Sequence, residues 1–413
     1  MNVLSLFSGC GGMDIGFEGG FSCLKRSINT DIHPNWIMED GDSVVRVANT
    51  GFHTVFANDI RPDAKSAWVS YFEKNVKNAK NIYRVESIVD LVKKSKNGET
   101  IFPDQVDIVT GGFPCQDFSV AGKRKGFNSD KSHNGSKISN DKPTVESRGQ
   151  LYMWMRDVIT LTKPLVFVAE NVKGLTNLDD VQTIIEHDFS CADDGGYLVV
   201  PARVIHAANY GVPQSRERVF FFGFKKNALT RKAFKALTSK KIPKAYDPYP
   251  PATHAYNVQG AKLYSPVTCR EAFLDLKEPS ETLDPSQKKY SKAKFMGKHC
   301  QGQTEIRLDD IGPTIRSEHH GNIEYRRLGE DHNGKCSDEL ARGLIERRLT
   351  VRECARIQTF PDDYQFIQSS RQDLVSVSAS DAYKIIGNAV PCVLAYNIAK
   401  NLSEKWHLYF GGE

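Results

Sequence analysis

The sequence lacks three features that would place it in a special class of protein. It has no apolar run of about 18 residues, the length that a membrane helix needs, and residues 1–7 carry no basic segment of the signal-peptide type. Its nine cysteines are odd in number and contain no C-x-x-C pair. That pattern argues for a reducing compartment and against structural zinc. We therefore expect a cytoplasmic protein that binds neither membrane nor metal.

The sequence also has little excess charge of either sign, because its 413 residues have a formal net charge of only +5. The positive charge is concentrated in residues 225–350, which contain 24 Lys and Arg and 16 Asp and Glu, a net charge of +8. The rest of the chain has 31 against 34, a net of −3. Such a basic segment is either a solvated face or a surface for nucleic acid phosphates.

Short apolar runs alternate with helical patterns in the first half of the chain. Strands are predicted at 3–7, 54–57, 82–86, 106–110 and 165–169, with a helix at 64–77. This alternation predicts an α/β fold with a doubly wound, mostly parallel sheet and a ligand site at the carboxyl ends of the strands. The alternation stops at Lys225, and a second, smaller and irregular domain is predicted to follow.

Helical patterns return after about residue 345. Thr350 and Glu353 form a predicted capping box, and Pro361 is expected to end that helix. A last helix is predicted at 389–405.

Two features predict a nucleotide-like ligand. A glycine-rich turn, Ser8–Gly12, follows the first strand, and Asn58-Asp59 closes the second. An acidic residue at that point is placed to accept hydrogen bonds from ribose hydroxyls. The turn does not have strict G-x-G-x-x-G spacing, so a plain tight turn is the alternative.

Cys115 follows a buried strand and the turn Gly111-Gly112-Phe113-Pro114. Proline stiffens the chain and the glycines permit a close approach, as a positioned nucleophile requires. The alternative is a small buried residue without chemistry, as most free cysteines are.

Glu170 directly follows the apolar strand at 165–169, so desolvation is expected to raise its pKa and suit it to proton donation. A structural pair with an arginine is the alternative. Arg216 and Arg218 alternate along a predicted strand and therefore share one face. Their two guanidinium forks suit a carboxylate and a carbonyl oxygen.

Two long insertions carry no assigned role. Residues 22–53 are predicted to form an exposed loop, with a metal site at His33 and its acidic neighbours as the less favoured alternative. Residues 128–147 are polar and follow a basic stretch, which favours closure over a polyanion.

Together these residues resemble the DNA (cytosine-5) methyltransferases of the bacterial type, the methylases of type II restriction-modification systems. The resemblance covers nearly the whole chain. The matching blocks, in the order of the family, are Leu6-Phe7-Ser8-Gly9-Cys10-Gly11-Gly12, Asn58-Asp59, Gly112-Phe113-Pro114-Cys115-Gln116, Arg148-Gly149-Gln150-Leu151, Glu170-Asn171-Val172, Gln214-Ser215-Arg216-Glu217-Arg218, Arg352-Glu353-Cys354-Ala355-Arg356 and Gly387-Asn388-Ala389-Val390.

The resemblance implies a covalent reaction on a cytosine that has left the DNA helix. Cys115 would add to C6, and Glu170 would donate a proton or strong hydrogen bond at N3. Arg218 would hold the base O2 while Arg216 orients Glu170. S-adenosyl-L-methionine would supply the methyl group, and 5-methylcytosine would be the product.

The resemblance also implies a set of cofactor contacts, with Asp59 at the ribose and Glu86 near the adenine. Glu86 stands where the family often has Asp, and Ile60 where a larger side chain frequently covers the ribose. The full predicted set is Phe7, Gly9, Cys10, Gly11, Asp59, Ile60, Glu86, Pro114, Leu151, Asn388 and Val390.

By the same resemblance, residues 1–224 form the catalytic and cofactor-binding domain, 225–345 recognise the target DNA, and 346–413 form a hinge and a helix returning to the first domain. The net charge of +8 agrees with that recognition role. Candidate substrate contacts are Gln116, Asn171, Val172, Thr314, Ile315, Arg316, His319, His320 and Arg326. Of these, the arginines and histidines are candidates for reading bases in the major groove, with phosphate contact as the alternative for each.

The expected partner is double-stranded DNA, with a possible cognate restriction endonuclease that acts separately, and the protein is expected to be a monomer. The sequence disfavours three alternatives. An RNA methyltransferase is disfavoured by the large basic segment, and a silent DNA-binding relative by the presence of Cys115, Glu170, Arg216 and Arg218. A redox thiol protein is disfavoured because no resolving cysteine lies near Cys115.

Overall fold

The structure is a computed structural model that describes residues 1–114, 151–177, 180–297, 299–317 and 321–411. Four predicted site residues lie outside the described residues, namely Cys115, Gln116, His319 and His320.

The strands in the described part of the chain vary from two to ten residues. They are β1 (Asn2–Leu6), β2 (Ser22–Leu24), β3 (Ile37–Glu39), β4 (Val44–Val47), β5 (His53–Asp59), β6 (Tyr83–Val85), β7 (Ile108–Gly112), β8 (Val166–Val172), β9 (Tyr197–His206), β10 (Glu217–Lys225), β11 (Tyr325–Arg327) and β12 (Arg347–Arg348).

The α-helices are shorter in the second half of the chain until its end. They are α1 (Gly12–Glu18), α2 (Pro62–Phe72), α3 (Ala79–Ile82), α4 (Ile88–Lys96), α5 (Leu151–Thr162), α6 (Val181–Ser190), α7 (Arg231–Leu237), α8 (Cys269–Ala272), α9 (Pro285–Lys288), α10 (Ser337–Ala341), α11 (Val351–Ile357), α12 (Ala379–Asn388) and α13 (Cys392–Phe410).

A central sheet organises the fold, with strand order β6-β5-β1-β7-β8-β10-β9. The first five strands are parallel, and β10 pairs antiparallel with both neighbours. The predicted α/β class with a mostly parallel sheet is therefore confirmed. We call the side where β1, β5, β7 and β8 end the carboxyl edge, and the opposite side the amino edge.

Alternate residues of the parallel strands pack into two hydrophobic cores, one on each face of the sheet. Val3 packs with residues of α1, α2 and α13, whereas Leu4 and Leu6 pack with residues of α4, α5 and α6. Burial on both faces explains why these strands are nearly continuous apolar runs in the sequence.

The C-terminal helix α13 packs against α1 and begins at Cys392, three residues later than predicted. A Cβ at Gly16 would lie 2.4 Å from Cβ of Ala395, so only glycine lets the two helices approach this closely. The predicted capping box of Thr350 and Glu353 is present, but α11 ends at Ile357, before Pro361.

The prediction of an exposed loop at residues 22–53 was wrong. Strands β2, β4 and β3 form a separate antiparallel sheet there. Trp36 is buried, stacks on His33 and donates from Nε1 to Glu404 of α13 at 2.8 Å. These strands have only three or four residues, too few for a periodic signal to emerge.

Residues 230–249 pack against the central sheet and α13, although they fall in the segment predicted as the second domain, 225–345. Thr230 Oγ1 donates to the Leu408 carbonyl at 3.0 Å, and the Tyr249 hydroxyl donates to the Phe220 carbonyl of β10 at 2.8 Å. The irregular region follows, held together by buried ion pairs such as those of Arg327 and Arg347 with Glu278.

The positive charge of residues 225–350 lies at their start. Residues 225–245 contain eight Lys and Arg and no Asp or Glu, whereas residues 246–350 contain 16 of each sign. Lys225 ends β10, whose antiparallel register pairs Phe224 with Val166, the first residue of β8. The excess charge therefore begins at the amino edge, so the net of +8 does not support DNA recognition by residues 225–345.

No helix in the described part of the chain combines the length and apolar character that crossing a bilayer demands.

Candidate active site

A cavity of about 440 Å³ opens at the carboxyl edge of the sheet. Its walls come from the turns after β1, β5, β7 and β8, from the starts of α4 and α5, and from the junction of α12 with α13. The predicted cofactor residues in its lining are Phe7, Gly9, Asp59, Ile60, Pro114, Leu151, Asn388 and Val390. Residues far apart in sequence thus surround one space.

The turn between β1 and α1 requires glycine for two different reasons. Gly9 has φ of +53°, in the left-handed region that favours glycine, with no atom within 4 Å of an added Cβ. At Gly12 an added Cβ would lie 2.3 Å from the Val390 carbonyl oxygen. The first glycine shapes the turn, and the second lets the α12–α13 junction close the cavity.

Asp59 ends β5 and lies against this turn. Its Oδ2 accepts from the Gly9 amide at 3.1 Å and its Oδ1 from the Arg61 amide at 3.0 Å. Burial raises the pKa of Asp59, while the backbone amides and Arg61 oppose that rise. Each carboxylate oxygen has a further lone pair, so Asp59 can still accept from a ligand hydroxyl in the cavity.

Sequence reasoning missed the polar support beneath the turn. The buried carboxylate of Asp14 accepts from Ser5 Oγ at 2.6 Å and from Trp68 Nε1 at 2.7 Å. Ser8 Oγ in turn donates to Ser5 Oγ at 2.8 Å. A polar residue at one position of an apolar helix pattern was the only available signal.

Three predicted cofactor residues do not line the cavity. Cys10 is fully buried behind it, with Sγ 3.2 Å from the Ile385 carbonyl, and an added Cβ at Gly11 would meet Trp68. The Glu86 side chain pairs with Lys94. Cys10 and Gly11 therefore lie behind the cavity wall, whereas the partly exposed Glu86 side chain is held by α4.

Ser87 and Ile88 line the cavity where Glu86 was predicted to do so. Strand β6 ends at Val85, and the chain turns directly into α4, whose N-cap is Ser87. That turn directs the two residues after Glu86 inward. Serine before an apolar helical run is an N-cap signal, so the register was detectable from sequence.

Glu170 lies near the carboxyl end of β8 in the wall of the same cavity. Arg218 Nε is 2.8 Å from its Oε1. Burial raises the pKa of Glu170 above its ordinary value, although the charges of Arg218 and Arg216 oppose the rise. The site therefore contains a desolvated carboxyl group with an elevated proton affinity.

Gly112 faces this carboxyl group from the neighbouring strand, since the two residues are paired in register. A Cβ at Gly112 would lie 2.8 Å from Glu170 Oε2, closer than real side chains approach. Glycine here leaves room for the carboxylate.

Arg216 does not make the contact with Glu170 that was predicted for it. It precedes β10, is buried, and donates to the Ile315 carbonyl at 3.0 Å and the Gly387 carbonyl at 3.1 Å. The salt bridge to Glu170 is made by Arg218 instead. Arg216 acts on Glu170 through its charge, and its hydrogen bonds tie residue 315 to the end of α12.

The segment that leads to Cys115 is anchored to β8. Asn171 Nδ2 donates to the Phe113 carbonyl at 3.3 Å, and Val172 and Pro114 both line the cavity. Cys115 and Gln116, which lie outside the described residues, follow Pro114 directly in the sequence.

The residues predicted to contact DNA differ in how exposed their side chains are. Thr314 is accessible and donates to the Ser215 carbonyl, whereas Ile315 is buried. Arg316 is partly exposed and pairs with Glu324 at 2.9 Å. Arg326 is turned inward and pairs with Glu339 at 2.7 Å, so its burial argues against the predicted reading of a base.

The strand order of this sheet, with the antiparallel β10 beside β8, is that of an α/β methyltransferase fold. Solved structures share it. The Dnmt2 methyltransferase of S. pombe matches with a TM-score of 0.52 and 15% identity over 98% of each chain. A putative DNA modification methyltransferase from an E. coli prophage matches with a TM-score of 0.50 and 20% identity, over 98% of this chain and 99% of that one.

The sequence comparisons give the family. The family model for C-5 cytosine-specific DNA methylase matches residues 45–404. The chain is 33% identical over 413 residues to the type II methyltransferase M.BspRI of Lysinibacillus sphaericus, covering 98% of this chain and 81% of that protein. It is 31% identical to M.BsuRI of Bacillus subtilis, covering 98% and 79%. The chain belongs to the C-5 cytosine-specific DNA methylases, as the sequence motifs predicted, and is a DNA methyltransferase of the type II group.

Proposed function

We propose that the protein transfers a methyl group from S-adenosyl-L-methionine to C5 of a flipped-out cytosine in a specific short site of double-stranded DNA. One observation carries the proposal. A single cavity is lined by Asp59 beside the glycine turn, by the Glu170–Arg218 pair, and by Pro114, which directly precedes Cys115. A methyl-donor pocket and a base-activating group therefore adjoin the same candidate nucleophile.

The cavity suits S-adenosylmethionine in size and chemistry. Its volume of about 440 Å³ falls in the range of small-molecule sites, roughly 300–1,000 Å³. Asp59 offers a carboxylate to the ribose hydroxyls, and Ile60 and Ile88 offer apolar surface to the adenine. When bound, S-adenosylmethionine supplies an electrophilic methyl group.

Cytosine C5 is too electron-poor to attack a methyl group unaided. Addition of the Cys115 thiolate to C6 would make the ring an enamine-like nucleophile at C5. The addition places negative charge on the ring, which a proton or strong hydrogen bond at N3 absorbs. The raised pKa of Glu170 supports this donor role, because it keeps a proton available closer to neutral pH.

Arg218 lines the cavity and is the second group suited to the base. Its guanidinium has donors beyond the Nε that contacts Glu170, and we assign one of them to the cytosine O2. Arg216 is a positioning residue, since its Nη1 and Nη2 donate to the backbone carbonyls of Ile315 and Gly387. After methyl transfer, loss of the C5 proton would expel the Cys115 sulfur and release 5-methylcytosine.

We place target recognition in the irregular region between residues 265 and 345, within the 225–345 segment that the sequence predicted. Thr314 and Ile315 precede Ser317, which lines the cavity, so this region adjoins the proposed position of the flipped base. Arg316 is the remaining described candidate for base readout. The type II names of the relatives support a cognate endonuclease that acts separately on the same site, and we propose that the methylase acts as a monomer.

The proposal is tested by expressing the chain in a host that lacks cytosine methylation and sequencing its DNA after bisulfite treatment. We expect 5-methylcytosine at one position of a short recurring site, and none with Cys115→Ser. Unmethylated DNA from cells that contain folded protein would contradict the proposal.

A further inference from the structure

An exposed group of cations lies at the amino edge, where the methylation reaction has no use for it. We define the basic patch as Arg231, Lys232, Lys235, Lys240 and Lys241, on α7 and the turn that follows it. All five side chains are exposed, and among the described residues none of the five has an acidic partner within ion-pair distance. By contrast, Lys225, just before the patch, pairs with Asp193.

The charges of the basic patch destabilise α7 itself. Lys232 and Lys235 are three positions apart and Arg231 and Lys235 four, so like charges share one helix face. Two cations occupy the first turn of α7, where the helix dipole favours anions, and that turn has no acidic residue. Ala233 and Leu237 are buried on the opposite face, so the helix presents its cations outward.

The basic patch is far from the cavity. Helix α13 starts next to Val390 in the cavity wall and runs for 19 residues, about 28 Å, to the amino edge. Thr230, the N-cap of α7, is bonded there to Leu408 and Tyr409. The patch and the cavity are therefore separated by about the length of α13, roughly 28 Å.

We propose that the basic patch binds the phosphate backbone of a second DNA segment while the target duplex occupies the active site. An enzyme that must find short sites on long DNA is always surrounded by such segments. Lys and Arg neutralise DNA phosphates whatever the base sequence. The patch would therefore bind such segments through charge alone, without contacting bases. Two DNA-binding surfaces on opposite edges would let the protein transfer directly between segments.

The test uses two duplexes and the full chain. A short duplex carrying the methylated site found by bisulfite sequencing is immobilised and saturated with enzyme, and a fluorescent duplex without that site is added. The patch variant is Lys232→Gln with Lys235→Gln. The matched control is Lys77→Gln with Lys262→Gln, two exposed lysines outside the patch. Methylation of the short duplex is measured for each protein.

We expect the wild-type protein and the control to capture the second duplex, and the patch variant to capture about tenfold less at 50 mM salt. The slope of log affinity against log salt for the second duplex should become less negative by about 1.8, or 0.9 for each lost contact. Methylation of the short duplex should stay unchanged in all three.

Equal capture by the patch variant and the wild-type protein, or no capture by the wild-type protein, would overturn the inference. Patch-dependent binding to anionic vesicles or to RNA, without capture of duplex DNA, would assign another partner and overturn it too. Since methylation of the short duplex is scored separately, failure of the proposed function would be recognised by its own readout.

Discussion

Adding one methyl group at Gly112 should slow methyl transfer through Glu170. In Gly112→Ala the new Cβ would lie 2.8 Å from Glu170 Oε2, so the carboxylate or the strand must move by several tenths of an ångström. Moving the carboxylate lengthens the 2.8 Å salt bridge with Arg218 and misaligns the proton donor. A misplacement of 1 Å can cost on the order of 100-fold in rate, so a shift of several tenths of an ångström should cost about tenfold.

The assay is single-turnover methyl transfer to DNA at saturating substrate, with cofactor affinity measured separately. We expect the transfer rate of Gly112→Ala to fall about tenfold. Gly195→Ala is the control, because its added Cβ meets its nearest atom, in Asn227, at an ordinary 3.4 Å.

A double-mutant cycle tests whether the effect passes through Glu170. When Glu170→Gln is already present, adding Gly112→Ala should cost little further activity, since the group that it displaces no longer donates the proton. A wild-type rate in Gly112→Ala, or fully additive losses in the double variant, would refute the reasoning.

Two further outcomes follow from the buried carboxylate and the recognition region. Burial raises the pKa of Asp14 from 3.8 to about 6, so the folded protein holds this proton more tightly and loses stability as pH rises from about 4 to about 6. Urea unfolding should therefore show Asp14→Asn gaining up to about 3 kcal/mol relative to the wild-type protein over that interval, and parallel pH profiles would contradict this. Exchanging residues 265–345 for those of a relative with a different site should move the methylated site in bisulfite sequencing, and an unchanged site would count against the recognition assignment.

The parallel sheet and its edge were predictable because both leave local signals. Strands buried on two faces are apolar runs, and functional residues such as Asp59 and Glu170 stand where those runs end. The class of the fold and the main wall of the cavity followed from these signals alone.

Other features depend on contacts that local patterns do not encode. The small sheet at residues 22–53 is stabilised by Trp36 packing against α13, more than 350 residues away in sequence. The cavity is lined by Ser87 and not by the predicted Glu86, a difference of one residue just after the end of β6. The contacts of Arg216 depend on carbonyls at residues 315 and 387, far away in the sequence. The net charge of residues 225–350 does not reveal which edge of the sheet its lysines lie on.

The central claim, covalent addition of Cys115 to cytosine C6, is tested most directly with DNA whose target cytosine carries fluorine at C5. Fluorine prevents the final loss of a proton from C5, so the sulfur should stay attached after methyl transfer. We predict a denaturation-resistant protein–DNA adduct that mass spectrometry locates at Cys115, and no adduct with Cys115→Ser. An active enzyme that forms no adduct on this DNA, or one that forms it at another residue, would contradict the mechanism.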